Sequence, residues 1–234
     1  MADMQKLLAI DTATGACSVA VSDGEEIVAR LYQEMRRGQS EHLIGMIDAA
    51  MAESGVGFPE LDSIVVTRGP GAFTGLRIGL ATARAIGLAC GKPVFGLTTT
   101  EVIAAGVQRG EDNPSFVLVA VDGRRAEPYV QMFAPDGTAC SDIIAATPDS
   151  IAEVLAEAPF ILAGDGCDKA EPMLPRLPLR RIDVMLDAAE MALLAHRQRT
   201  SGIDLSPADP LYIRPPDAVT QADAEAARRA KRGE

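Results

Sequence analysis

Residues 69–79, Gly69-Pro70-Gly71-Ala72-Phe73-Thr74-Gly75-Leu76-Arg77-Ile78-Gly79, constrain this chain more than any other stretch, because they join an apolar run to a helical pattern without a wet side. Upstream, Ile64-Val65-Val66 is β-branched with no polar alternation, as expected of a strand buried on both faces of a parallel sheet. The Gly-Pro-Gly that follows ends it, and Thr74 is placed to cap the next helix. From Leu76 to Cys90 one apolar stripe runs Leu76, Gly79/Leu80, Ala83, Ile86/Gly87, Cys90, and a second runs Ile78, Ala81, Ala85, Leu88. Only Arg77, Thr82 and Arg84 clearly want water. A helix apolar nearly all round is covered on two sides, either by its own fold or by a partner, and both readings stay open. The glycines could also offer backbone N–H groups to a phosphate, but the P-loop lysine and the dinucleotide spacing are missing.

A chain of 234 residues can bury roughly 70% of its unfolded surface and needs no staples. With 22 Lys+Arg against 33 Asp+Glu, its net charge of -11 repels phosphate backbones and disfavours unaided nucleic-acid binding. The basic run Arg228-Arg229-Ala230-Lys231-Arg232 is the exception, read as the solvated end of an alanine-rich helix. Cys17, Cys90, Cys140 and Cys167 form no C-x-x-C pair, and with no signal peptide before Leu7 they are expected to be buried thiols of a cytoplasmic protein. No apolar run reaches the ~18 residues of a membrane span.

Two halves begin alike. Leu7 to Ile10 and Cys17 to Ser22 read as strands, with Asp23-Gly24 turning into a third through Ile27-Val28-Ala29. Phe116 to Asp122 repeats the plan, with a turn at Gly123-Arg124-Arg125, a strand from Tyr129 to Phe133 and another Asp-Gly turn at Asp136-Gly137. Helical patterns at about 40–54 and 74–91 alternate with strands at 62–67 and 93–97. In the second half Thr147-Pro148 is expected to open a helix, Phe160 to Ala163 to form a strand, and Asp187 with Glu190 to cap a helix reaching about Arg199. The pattern predicts a diverged duplication with a first lobe at 1–112, a second at 113–206 and a tail at 207–234, the polar stretch Gly110 to Pro114 marking the boundary.

The 69–79 segment closely resembles the G-P-G-S/A-F-T-G-L-R-I-G signature of the TsaB (YeaZ) family of bacterial tRNA threonylcarbamoyladenosine biosynthesis proteins. Leu7-Leu8-Ala9-Ile10-Asp11-Thr12-Ala13-Thr14, Gln39-Ser40-Glu41-His42 and Leu211-Tyr212-Ile213-Arg214 add to it, so the resemblance spans most of the chain. It implies an α/β fold of two ribonuclease-H-like lobes, in the actin, sugar-kinase and Hsp70 (ASKHA) superfold; periodicity alone leaves other α/β folds open. In active members of that superfold an Asp ending the first strand helps hold metal-bound nucleotide. Here Asp11, Thr12, Thr14, Asp122, Gly164 and Gly166 would outline a worn nucleotide cleft, with Ala13 where the resemblance places Gly. The same residues are also what turns after strands use, which is the favoured reading.

Catalytic and metal residues are not expected. The paralogue TsaD carries an H-x-x-x-H metal motif whose histidines would fall at Thr99 and Ile103, and neither side chain replaces imidazole. Thr98 with Glu101 is instead a capping box. His42 and His196 have no ligand at i+3 or i+4, and Ser40 before Glu41-His42 is expected to cap a helix rather than attack a substrate.

The resemblance therefore implies a non-catalytic scaffold that binds TsaD through a helix bundle, recruits TsaE, and meets tRNA only indirectly. By that analogy Leu43, Met46, Ile47, Met51, Ile78, Ala81, Ala85 and Leu88 form the partner-binding face. Alone, such a face predicts a homodimer. No cofactor is expected on the lone chain, with ATP or ADP and Mg entering only in the complex. The alternative is a nucleotide-dependent kinase or ATPase of the same superfold acting alone through Asp11 and Asp122. A metallohydrolase would need metal despite a poor ligand set. Arg124 and Arg125 could meet a phosphate in a composite site, or simply be exposed hairpin residues.

Overall fold

The computed structural model describes residues 6–111 and 115–213. Part of the boundary stretch 110–114, and the tail beyond 213 with its basic run, lie outside the described residues.

The first sheet begins with β1 (Lys6–Asp11), β2 (Ala16–Asp23) and β3 (Glu26–Glu34), antiparallel neighbours in order. After α1 (Gln39–Ser54), β4 (Ser63–Gly69) pairs in parallel with β1. After α2 (Phe73–Cys90), β5 (Val94–Thr98) pairs in parallel with β4. The second sheet repeats this strand for strand. There β6 (Phe116–Val121) and β7 (Tyr129–Phe133) are antiparallel, β8 (Ile144–Ala145) follows, and β9 (Phe160–Ala163) and β10 (Arg180–Ile182) continue in parallel from β6. The helices repeat as well: α1, α2 and α3 (Thr99–Arg109) follow the third, fourth and fifth strands of the first plan, as α4 (Ile151–Val154), α5 (Cys167–Ala170) and α6 (Ala188–Thr200) do in the second. The sheet orders β5-β4-β1-β2-β3 and β10-β9-β6-β7-β8 are one topology used twice, which gives two ribonuclease-H-like lobes of the ASKHA superfold.

Strand alternation builds five layers. Leu7 and Ala9 of β1, with Val117, Val119 and Val121 of β6, face a shared core with α3 and α6 between the sheets. Leu8 and Ile10 face outward onto α1 and α2, and Leu118 and Ala120 face α4, α5 and their loops. Both faces of each central strand are thus buried, which is why neither β1 nor β6 shows polar alternation.

The starts of four helices differ from the local expectations. Glycine at position 38 (φ 95°) precedes α1, so Ser40 lies inside the helix, and Ala72 precedes α2, so Thr74 lies in its first turn and neither caps. Thr147 and Ser150 exchange hydrogen bonds in a turn, which delays α4 to Ile151. Asp187 caps α6 through Ala189 N, whereas Glu190 is drawn off to an ion pair with Arg109. The lobe limits shift too. Helix α6 packs on β1 and β2, Ala188 N donates to Ser18 Oγ at 2.9 Å, and β11 (Ser206–Pro207) pairs with β5, so residues 188–213 complete the first lobe.

Of the four thiols, Cys17 and Cys167 are buried and pushed up to about 12, chiefly by loss of water. Cys140 is exposed and Cys90 half-buried, against the expectation for all four. Among the described residues no helix is long and apolar enough to cross a membrane.

Candidate functional site

The signature loop 69–75 sits directly on the β1–β2 turn. Ala72 N donates to Ala13 O at 2.8 Å and Thr12 Oγ1 donates to Gly75 O at 2.7 Å. A Cβ at position 71 would stand 2.4 Å from Ala13 O, one at 75 would stand 2.0 Å from Thr12 O, and one at 79 would stand 2.6 Å from Thr12 Oγ1. The signature glycines are therefore contact glycines that let α2 lie on this turn. Backbone that could have faced a phosphate faces protein instead.

Asp11 is fully buried beneath that contact. Its Oδ1 accepts from Thr67 Oγ1 at 2.7 Å and from Ala13 N at 2.9 Å, and its Oδ2 has no partner among the described residues. Burial is the largest influence and raises its pKa to about 7, with Asp165 and Asp187 adding to the rise and the two hydrogen bonds opposing it.

Across the interlobe line, Asp122 is held by Lys169 Nζ at 2.6 Å and accepts from Arg124 N at 2.7 Å. Asp165 accepts from Asp122 N at 2.9 Å and also from the Gly15 backbone of the opposite lobe, and its pKa is raised, first by burial. Position 164, at φ 121°, packs where a Cβ would lie 2.0 Å from Ala120 O, and Gly166 N donates to that same carbonyl at 3.0 Å. Beside Gly15, Met185 Sδ and Arg124 Nη2 leave 3.1 and 3.3 Å for a Cβ. The structure gathers Asp11, Thr12, Thr14, Asp122, Gly164 and Gly166 around one line between the lobes, yet protein groups occupy most of their polar atoms. Turn and packing contacts involve most of these groups, whereas Asp11 Oδ2 and Thr14 Oγ1 are buried without a hydrogen-bond partner among the described residues.

Thr98 and Glu101 form the expected box: Glu101 N donates to Thr98 Oγ1 at 3.1 Å and Thr98 N donates to Glu101 Oε2 at 2.9 Å. Thr99 and Ile103 are buried on α3. Among the described residues no group of three or more His, Cys, Asp or Glu could hold a metal.

The partner-face residues divide. On α2, Ala81 and Ala85 are exposed, Leu88 is 88% exposed and Ile78 is half-buried. On α1, Leu43, Met46, Ile47 and Met51 are buried against this chain's own first sheet and are not surface. Their i, i+3, i+4 spacing is the stripe that faces the sheet, and the open side of α1 carries Ile44 instead, 53% exposed. Phe73, 43% exposed, was also missed. It lies under the Arg77 guanidinium (3.8 Å to the ring centroid) and beside Tyr212, with ring centroids 5.8 Å apart.

Fold and site together define a two-lobed ASKHA-class protein whose interlobe line is filled by its own side chains, with an uncovered apolar helix side on the first lobe. Residues 32–191 match the family model described as TsaD, tRNA N6-adenosine threonylcarbamoyltransferase. The chain is 30% identical over 223 residues to the tRNA threonylcarbamoyladenosine biosynthesis protein TsaB of Escherichia coli K12, covering 89% of this chain and 94% of that protein. It is 36% identical over 129 residues to the protein of the same name from Haemophilus influenzae, covering 53% of this chain and 51% of that one. The solved structure of YeaZ from Pseudomonas aeruginosa superposes with a TM-score of 0.79 at 27% identity, covering 89% of this chain and all of that one. The chain belongs to the TsaB (YeaZ) family.

Proposed function

We propose that this chain is a non-catalytic supporting subunit in the synthesis of N6-threonylcarbamoyladenosine in tRNA. Its relatives' names supply the pathway. The observation that carries the supporting role is the open side of α2, where Ile78, Ala81, Ala85 and Leu88 form an apolar strip with small residues at its centre. Such a strip lets a second helix approach at backbone distance. In this reading the strip packs against a TsaD catalytic subunit, TsaE docks on the pair, and ATP or ADP with Mg enters only at that stage. Without TsaD, two copies of the chain pair through the same strip. At a net charge of -11 the chain leaves tRNA to its partners, in the cytoplasm.

The test is a native pull-down of the tagged chain read by mass spectrometry, comparing wild type with Ala81→Arg. Loss of a TsaD protein from a variant that melts like wild type is the expected result; its absence from wild-type eluates overturns the reading. Mg-ATP turnover by the purified chain alone, abolished in Asp11→Asn, would move the assignment to a free-standing ATPase.

A further inference from the structure

A cavity of about 450 Å³ lies beside α3, bordered by the outer strand β3 and by residues 182–187, which lead from β10 into α6. None of the residues in the turns after β1 and β6 lines it. Its lining is mostly apolar, with Val102, Ile103 and Val107 from α3 and Ile182, Val184 and Leu186 from the crossing segment. Tyr32 of β3 adds an aromatic ring.

The charged part of the lining is oriented. Glu111, Asp187 and Glu190 line the cavity, and they are ion-paired with Arg180, Arg30 and Arg109 respectively. The three carboxylate side chains are 22, 18 and 23% exposed, whereas their arginine partners are 51, 52 and 52% exposed. Arg109 and Arg180 do not reach the lining, and of the three arginines only Arg30 borders the space. Each pair thus holds its negative end inward and its positive end toward water. Water screens the outer charges more strongly than the inner ones, which leaves the potential inside the cavity negative.

Glu190 is the carboxylate best placed to use that field. A Cβ at position 106 would stand 3.2 Å from Glu190 Cγ, so the glycine there lets this side chain lie close against α3. Among the described residues Glu190 accepts only from the Arg109 fork, with Nε at 2.9 Å, and about half of its roughly four lone-pair sites stay open.

We propose that this cavity binds a small organic amine with an apolar body, its ammonium group at Glu190 and Asp187 and its body against the α3 wall. The inward carboxylates repel an anion, and a cation without an apolar body leaves the valines and isoleucines uncovered. The volume suits a body of one or two rings. The site is separate from the α2 strip, so its test does not depend on the supporting-subunit reading.

The experiment is isothermal titration calorimetry of the full chain at neutral pH with three probes that share one ring system: tryptamine, tryptophol and indole-3-acetate, which are cationic, neutral and anionic. Saturable one-to-one binding of tryptamine is expected, about tenfold or more tighter than tryptophol, with indole-3-acetate the weakest. Glu190→Gln should remove most of the preference for tryptamine over tryptophol. Arg109→Gln, which takes away the positive end outside the cavity, should widen that preference several-fold. Both variants break the same ion pair, so damage to the fold moves them together, whereas binding through the field moves them apart. Absence of saturable tryptamine binding, tryptophol binding as tight as tryptamine, or a change of the same sign in both variants overturns the proposal.

Discussion

The two long sides of α2 are both built from small residues, for opposite reasons. Toward the sheet, a Cβ at positions 75, 79 and 87 would fall 2.0 to 2.6 Å from Thr12 and Val94, so glycine is what this chain's own packing demands. Away from the sheet, Ala81 and Ala85 are exposed, and nothing within the chain requires them to be small. One sequence signal thus carries two meanings. Only the outer one points beyond the molecule.

The comparison breaks most visibly on the inner side. Gly75→Ala drives a methyl into the Thr12 carbonyl and is expected to lower unfolding free energy by about 3 kcal/mol, measured by urea denaturation. Asp11→Asn tests the ground on which that side rests and has the opposite sign. Asp11 ionises near 3.8 unfolded and at about 7 in the fold, so the folded state binds the extra proton between these values. Its contribution is greatest below about pH 3.8 and is lost as the pH rises to about 7. The raised pKa corresponds to roughly 4 kcal/mol, and burying an amide N–H₂ in place of the unpartnered Oδ2 takes back about half of it. The variant should therefore be about 2 kcal/mol more stable than wild type at pH 8 and no more stable at pH 4, by melts across that range.

Gly79→Ala meets a side-chain hydroxyl rather than a carbonyl and should be milder, about 1 kcal/mol, because Thr12 Oγ1 can rotate at the expense of its bond to Gly75 O. On the outer side, Ala85→Arg should leave stability within about 0.5 kcal/mol while removing self-association in sedimentation velocity. A large loss of stability in Ala85→Arg would erase the distinction between the two sides.

The duplicated plan was legible because strands and turns are local: Asp23-Gly24 and Asp136-Gly137 both turn where their residue types require. The apolar second stripe of α2 was legible for the same reason, since it depends only on spacing. What escaped was set by distant groups. Thr74 loses the capping position because Ala72 is fixed to Ala13, nearly sixty residues earlier in the chain. Leu43, Met46, Ile47 and Met51 looked equivalent to Ile44 until the sheet chose a side of α1. Helix α6 has no periodic sign of which sheet it will cover. Thr14 reads as an ordinary turn residue, and only the three-dimensional enclosure of its hydroxyl singles it out.

The place of α6 also sets a timetable for synthesis. Helix α6 and β11 finish a lobe whose first strand was made some 180 residues earlier. Until they leave the ribosome, the inner surface of the first sheet, with Leu7, Ala9, Ala20 and Val65, lacks much of its cover. That uncovered apolar face is expected to be adhesive in the nascent chain until residues 188–207 have been made. A message truncated before residue 188 is therefore expected to yield a first lobe without α6 and β11, with its inner sheet face open to other apolar surfaces.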